Sequence, residues 1–315
     1  MKRIIYSVII ILFSVALNAQ GTANLRMNPE KNRVYRFRSS SEQTVTQTIN
    51  GVQQTTESRV IYAMSMKMID ANQDFMVAEV RFDTLLTHTN TMGKVVSVSS
   101  ANEGDIRSSE SADVLSCIMN RLSKNSLYVK IDYAGKPLEI VNAAILPQLV
   151  LRDTASITLQ GAVAQAVKKQ AAETVSETNL KTMVAMFTHY LPGRKVTKGE
   201  KWTITNQLIS GGMMLDIVTT YRLDRLDGDK AGIIAESAIK ASDNAAPIES
   251  GGATVTYGDL KGMSRADMVI DARTGLRIEE NGKTSITGTL GISAAGFSMQ
   301  MPMDIKGETK VIVVQ

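Results

Sequence analysis

Side-chain alternation sustained over unusually long stretches most constrains what this chain can fold into. Between Arg33 and Asn50, Val34, Arg36 and Arg38 alternate with Tyr35 and Phe37. Thr44, Thr46 and Thr48 then alternate with Val45, Gln47 and Ile49. A period of two places successive side chains on opposite faces of a strand. Asn50-Gly51 follows as a hairpin turn, because both residues accept the positive φ of a two-residue reversal. Further strands are expected from Gln53 to Met68, from Phe75 to Leu86 beyond a polar turn at Asp70–Asp74, and on through Thr87–Asn102. No helical period interrupts this first stretch, so antiparallel hairpins fit better than a crossover fold.

Helical patterning comes next. Val114, Leu115, Ile118, Met119 and Leu122 form one apolar stripe, with Ser109 or Ser111 near its start. A second helix is expected over Ile157–Ala171. A third is expected from about Ser176, where Thr174 and Glu177 have capping-box spacing, with Leu180, Met183, Val184, Phe187 and Leu191 on its face and Pro192-Gly193 at its end. These helices read as packing elements laid on a sheet.

The second half repeats the strand program. Lys201-Trp202-Thr203-Ile204 opens it, Ser210-Gly211-Gly212 turns it, and Met213–Leu226 runs back toward Asp227-Gly228 and a strand at Ala231–Ala238. Val129-Lys130-Ile131-Asp132 followed by Gly135 matches Met268-Val269-Ile270-Asp271 followed by Gly275. Each describes a strand, an acidic turn entry and a glycine suited to a left-handed conformation. Thr284–Ile292, Phe297–Met303 and Ile305–Val314 close the chain as strands. The expected fold class is therefore α+β, with duplicated, curved antiparallel sheets or half-barrels and intervening helices; chance likeness between hairpins is the competing explanation of the repeat. The units are a first β-rich unit with a helix at 20–155, a helical connector at 156–192 and a second β-rich unit at 193–315.

Residues 1–19 read as a signal peptide: Lys2 and Arg3, an unbroken apolar run from Ile4 to Leu17, and a small residue, Ala19, at the cleavage point, with an uncleaved membrane anchor as the alternative that the short run disfavours. A periplasmic or extracellular location follows as an expectation. The formal charge of +4 falls to +2 without Lys2 and Arg3. That balance, with no basic cluster interleaved with aromatics, argues against a nucleic-acid partner. Cys117 stands alone, so no intrachain disulfide framework exists. No later apolar run is long enough for a membrane-spanning helix.

Catalytic signals are sparse. His88 falls in a threonine-rich strand and His189 near a helix end, and no HExxH pair or cysteine pair marks a metal site. Ser97–Ser100 and Ser108–Ser111 lack a nucleophile elbow, and Gly211-Gly212 and Gly251-Gly252 lack the lysine of a phosphate loop. Glu236 with Asp243, or Asp224 with Asp227, could meet in space, which keeps an envelope hydrolase open as a minor reading. Cys117, between Leu115 and Ile118, reads as a buried structural thiol. No cofactor, metal or catalytic residue is assigned, and an enzyme is the less favoured class.

Methionine supplies the remaining signal. Met64, Met66 and Met68 share one strand face, and Met299, Met301 and Met303 share another near the C-terminus. Methionine adapts to irregular apolar ligands, although it fills ordinary cores equally well. These six are the candidate ligand contacts. Trp202 and Tyr190 are expected either to border the junction of the helices with the second sheet or simply to pack it.

The segment Leu191-Pro192-Gly193-Arg194-Lys195-Val196-Thr197-Lys198-Gly199-Glu200-Lys201-Trp202 resembles a motif of an uncharacterised family of exported Bacteroidetes proteins. The resemblance brings no catalytic residues. The architecture also resembles, by analogy alone, the half-open barrels of periplasmic lipoprotein carriers. The reading is an exported, noncatalytic protein that binds a hydrophobic ligand or an envelope component, with lipid, peptide or envelope protein as partner. A structural or assembly protein presenting a protein-binding surface is the alternative.

Overall fold

Alternating side chains and tight turns produce long strands, and in this computed structural model nearly all of them join one open antiparallel sheet. The structure describes residues 21–314 apart from 50, 211, 251 and 295, so the expected signal peptide lies outside the described residues. The first strands are β1 (Thr22–Leu25), β2 (Val34–Ile49), β3 (Val52–Ala71), β4 (Phe75–Thr91) and β5 (Lys94–Ser99). Helix α1 (Ser111–Ser123), strands β6 (Leu127–Asp132) and β7 (Pro137–Ile140), and helices α2 (Leu146–Val150), α3 (Gly161–Thr174) and α4 (Glu177–Thr188) follow. The second half holds β8 (Arg194–Thr197), β9 (Lys201–Ser210), β10 (Met213–Asp227), β11 (Lys230–Ala241) and β12 (Ile248–Ser250). It ends with β13 (Ala253–Thr256), β14 (Lys261–Asp271), β15 (Arg277–Ala294) and β16 (Phe297–Val314).

The strand order is β7-β6-β4-β3-β2-β16-β15-β14-β11-β10-β9, with β5 beside β4 and β13 linking β12 to β15. The two halves meet where β16 pairs with β2, placing Ile305 opposite Val45 and Val313 opposite Phe37. No break separates them. The expected α+β class of curved antiparallel strands with intervening helices is what is observed, realised as one open sheet.

One face of the sheet, the inner face, carries the helices. Phe37, Met64, Met66, Met76, Val80 and Phe82 are buried there beneath α1 and α4. Helix α1 contributes Val114, Leu115, Ile118 and Leu122, and α4 contributes Leu180, Val184 and Phe187 at the 3–4 spacing of an amphipathic helix. Phe187 meets Phe37 with ring centroids 6.1 Å apart. Each such side chain, fully buried, stabilises the fold by roughly 1.5–3 kcal/mol. Small polar groups fasten α1 to the sheet: the Asn120 amide donates to Ser100 O at 2.8 Å, and Ser116 Oγ accepts from Ser99 N at 3.1 Å. Cys117 is buried in the same core.

The helices depart from sequence expectation where tertiary contacts prevail. The second begins at Gly161 rather than Ile157, because Ile157 is buried in the core and Thr158 Oγ1 donates to Arg107 O at 2.7 Å. Helix α4 is capped by Ser176, whose side chain accepts from Asn179 N, and ends at Thr188 rather than Leu191. There the Thr188 hydroxyl donates to Gly135 O at 2.7 Å, and the Trp202 indole donates to Tyr190 O at 3.0 Å, drawing the chain away from the helical path. The five-residue α2, opened by Pro147, had no clear sequence signal.

One end of the sheet is closed. The paired acidic turns are built alike: Asp132 Oδ1 accepts from Ala134 N and Lys136 N, and Asp271 Oδ1 accepts from Arg273 N and Thr274 N. The same short segment bridges both, since Met27 N donates to Tyr133 O at 2.9 Å and Asn28 N to Thr274 O at 2.8 Å. The stretch after α4 spans them too, with Thr188 on Gly135 O and the Tyr190 hydroxyl on Gly275 O at 2.8 Å. Gly135 and Gly275 take φ of 88° and 70°, and a Cβ on either would overlap a backbone carbonyl, of Thr188 and Arg26 respectively. Bridging a turn at the sheet's margin to one at its middle curls the sheet around the core.

Candidate functional site

The inner face divides into three zones along the strands. Nearest the closed end lies the helix-covered core. Farthest from it lies a second apolar cluster of Leu215, Ile239, Ala241, Ile286, Leu290, Met301, Met303 and Ile305, with Val45, Ile49 and Ile217 packed against it. The β11 and β14 strands are interrupted together, at 242–247 and 257–260, before continuing as β12 and β13. Tyr257 and Leu260, from the second interruption, join this distal cluster. No helix covers it. The interruption is hydrogen-bonded in place: Ala241 N donates to Leu260 O at 2.9 Å, and Met214 N to the Tyr257 hydroxyl at 3.0 Å.

Between the clusters runs a row of residues with polar side chains, interrupted by one glycine. Thr219, Ser237, Ser264, Thr284, Gly307, Gln43, Ser58 and Thr89 follow one another as direct cross-strand partners. Hydroxyl pairs tie neighbouring strands along it, Thr219 with Ser237 at 2.9 Å and Thr284 with Ser264 at 3.0 Å. Each such cross-strand pair adds roughly 0.2–1 kcal/mol. Beside this row, Ala235, Ala266 and Gly282 are direct partners too. Small residues there let strands bend toward the inner face without colliding. The middle of the inner face is therefore a partly exposed polar strip between two apolar regions.

Among the described residues, the core holds one buried ion pair. Arg277 Nη1 lies 2.7 Å from Glu280 Oε2, with both side chains largely removed from water. Its guanidinium sits 4.5 Å from the Tyr190 ring centroid, and its Nε has no hydrogen-bond partner. Trp202 stacks on Tyr221 with centroids 5.7 Å apart. Burial raises the Tyr190 hydroxyl well above the ordinary phenol value and pushes Tyr221 up to about 12. Trp202 and Tyr190 both lie in the core where the chain passes from α4 to the second set of strands, and the Trp202 indole donates to Tyr190 O. Arg277 carried no sequence signal, because an arginine at the start of a strand is ordinarily solvated.

The two methionine groups are separated. Met64, opposite Phe37 and Phe82, and Met66 are buried in the helix-covered core, with Met68 packed at its margin. Met301 and Met303 are buried in the distal cluster, and Met299 is half-buried opposite Ile292. Phe37 lies opposite Val313. The Met64 level thus meets β16 ten residues beyond Met303, about 33 Å at strand rise. The sequence missed the distal partners Ile286, Leu290 and Ile305, although their same-face alternation in β15 and β16 was available to find them.

Other candidates are scattered. His88 is exposed on the outer face. His189 follows α4, where burial chiefly lowers its pKa while the Asp132 charge and an Asn206 hydrogen bond oppose that shift. Asp224 pairs with Arg222 at 2.8 Å, Asp243 with Lys240 at 2.8 Å and Glu236 with Arg265 at 2.7 Å, so neither proposed carboxylate pair forms its closest contact within itself. Among the described residues, no group of three or more His, Cys, Asp or Glu side chains is placed to hold a metal ion. A hollow of about 220 Å³ is lined by Arg36, Ser65, Lys67, Glu79, Arg81 and Asp83. Its charges are engaged with one another: Lys67 lies 2.6 Å from Glu79, and Ser65 donates to Asp83 at 3.2 Å. The Lys67 hydrogen bond, foremost, holds the Glu79 carboxyl below its usual value.

A family model for a family of unknown function (DUF6263) matches residues 73–277, a span that contains the Leu191–Trp202 segment. Comparison with curated proteins gives no match. Among solved structures, the chain is similar to lipovitellin, in a structure titled for its lipid–protein interactions, at 9% identity and TM-score 0.43 over 91% of this chain. The chain spans 25% of the lipovitellin chain. It is also similar to an outer membrane channel from Pseudomonas putida F1 at 9% identity and TM-score 0.29, covering 91% of this chain and 97% of that one. Salmonella typhi OmpF aligns at 7% identity and TM-score 0.20, covering 91% of this chain and all of that one. Likenesses this distant carry no functional argument.

Proposed function

Because the chain belongs to the family of unknown function DUF6263, which supplies no activity to inherit, we propose from its geometry a noncatalytic protein that binds a hydrophobic ligand or an apolar part of an envelope component. The observation that carries this reading is the distal cluster, an apolar region set apart from the helix-covered core and walled by the sheet's own side chains. A ligand entering there would lie against Leu290, Met301 and Met303, with the hydroxyl row beside it to receive a polar group. Of the six methionines, this assigns contact to Met299, Met301 and Met303, and leaves Met64, Met66 and Met68 to the core. Export to the periplasm or beyond the cell belongs to the same proposal and rests on residues 1–19.

The noncatalytic reading is supported by what the buried polar groups do. Thr188, Tyr190 and Trp202 each donate to a backbone carbonyl and hold turns or strands together.

Native mass spectrometry of the protein purified from its own host tests the reading. It is expected to retain an apolar small molecule that a Leu290→Asn variant loses. Delipidated protein is expected to enhance the fluorescence of cis-parinaric acid, with at least tenfold weaker binding in that variant. Folded protein that neither retains a ligand nor takes up the probe would sink the proposal. An assembly role finds support in β9, which ends the sheet order and, among the described residues, pairs with β10 alone. Its uncharged run from Trp202 to Ser210 leaves an edge open to strand addition, and a stoichiometric protein partner in the same spectra would favour that role.

A further inference from the structure

The turns at the two ends of the sheet differ in chemistry. At the closed end they carry Asp70 and Asp74, Asp132 and Lys136, Asp227 and Asp229, and Asp271 and Arg273. At the opposite end, the β2–β3, β4–β5, β9–β10, β12–β13 and β15–β16 connections carry no charge. Charge is missing from most of the strand ends beside them as well, with no Lys, Arg, Asp or Glu at 44–56, 84–93, 202–215 or 284–303; Lys94 on β5 and Glu249 on β12 are the exceptions. Farther back, a full row of charges crosses the outer face of the same strands, from Glu236 through Arg265, Lys283, Glu308 and Glu42 to Arg59. The depletion is therefore confined to one end.

An independent observation falls at that same end. Three consecutive hairpins expose a large apolar side chain at or beside their turns, Val52 at 62%, Met92 at 73% and Phe297 at 55%. The hairpins also step regularly. Strands β4, β2 and β15 end at Thr91, Ile49 and Ala294, respectively two, six and ten residues past Thr89, Gln43 and Thr284, which lie on one cross-strand row. Each step of four residues is about 13 Å at strand rise. The three tips thus fall on one line oblique to the strands, and a flat surface inclined to the strands can meet them together.

We propose that this uncharged end seats on a lipid surface, with Val52, Met92 and Phe297 entering the boundary between headgroups and acyl chains. Isolated side chains on separate tips do not make the contiguous patch of about 800 Å² per partner that a stable protein interface uses. The headgroup boundary accepts such side chains singly, and affinity grows with the apolar area entered. Around them stand Thr48, Gln53, Asn90, Thr91, Ser298 and Gln300, hydroxyls and amides suited to headgroup hydrogen bonds. The nearest charges are mixed, Lys94 against Glu249 and Asp304, so attachment depends on apolar insertion rather than on anionic lipid. This proposal is independent of whether the distal cluster holds a ligand.

Vesicle flotation tests it, using residues 20–315 with phosphatidylcholine vesicles and with phosphatidylethanolamine–phosphatidylglycerol vesicles, at physiological and at high salt. Wild-type protein is expected to float with both and to stay bound at high salt. Val52→Asp/Phe297→Asp is expected to bind at least tenfold more weakly, and Leu138→Asp, at an exposed apolar position on β7, to bind as wild type. Matched circular dichroism and urea midpoints confirm that the variants are folded. No flotation of wild type, binding only to anionic vesicles and lost in salt, or equal loss in Leu138→Asp would each overturn the proposal. So would a wild-type oligomer in sedimentation velocity that the double variant dissolves, since the tips would then belong to a second copy.

Discussion

Replacing Gly135 by alanine tests how the closed end is held. Gly135 has φ of 88°, and a Cβ there would overlap the Thr188 carbonyl and lie 3.1 Å from the Met27 sulfur. An L-residue in the left-handed region costs about 1–2 kcal/mol. Moving the Thr188 segment away loses the Thr188–Gly135 hydrogen bond, about 1 kcal/mol net, and crowding of a packed contact adds about 1–3 kcal/mol. The sum is about 3–6 kcal/mol. Gly93 is the control: its φ is 82°, yet nothing lies within 4 Å of the added Cβ, so Gly93→Ala incurs the conformational cost alone. With a urea m-value of about 3 kcal/mol/M, Gly135→Ala should lower the midpoint by about 1–2 M. Gly93→Ala should lower it by less than about 0.7 M on the same scale. Equal shifts in the two variants would refute the claim that this turn is wedged against the end of α4.

Other perturbations follow from the core and its titrating groups. Arg277→Ala leaves the Glu280 carboxylate without its partner in a buried setting and should destabilise by about 3–5 kcal/mol, whereas Arg277→Met/Glu280→Leu should recover most of that loss in urea unfolding. His189 has a folded pKa below its unfolded value, so its contribution is complete above about pH 6.5 and declines as pH falls toward the folded value. His189→Gln should remove that part of the acid dependence of the urea midpoint. Tyr190 and Tyr221 have raised folded pKa values. Above about pH 10 the unfolded chain releases protons that the native state keeps, and stability should fall by up to about 1.4 kcal/mol per pH unit for each group. In chemical denaturation from pH 9 to 11, Tyr221→Phe should flatten that decline.

Local chemistry made most of the strands legible. Gly51, Asp227-Gly228 and the matched Ile-Asp turns carry their conformations in their own residues, and the strands beside them alternate as the pleat requires. The same holds for the apolar stripes of α1 and α4. Where a distant partner set the outcome, local reading failed: Thr158 bound to Arg107 O delays α3, and Thr188 bound to Gly135 O ends α4 early. The candidate site was legible only in part. Met64 and Met303 looked alike because side-chain type and face are local properties, while their membership of different clusters depends on how far apart the strand register places them.

The amino-acid order alone thus determined the α+β class, the antiparallel hairpins and the face on which each strand side chain lies. All of these follow from φ/ψ preference and a two-residue period. Tertiary structure decided that the halves share one sheet, through the pairing of β16 with β2. It also decided that Arg277 is buried against Tyr190, and that the uncharged turns gather at one end of the sheet. Those outcomes depend on contacts between residues hundreds of positions apart, where no local preference reaches.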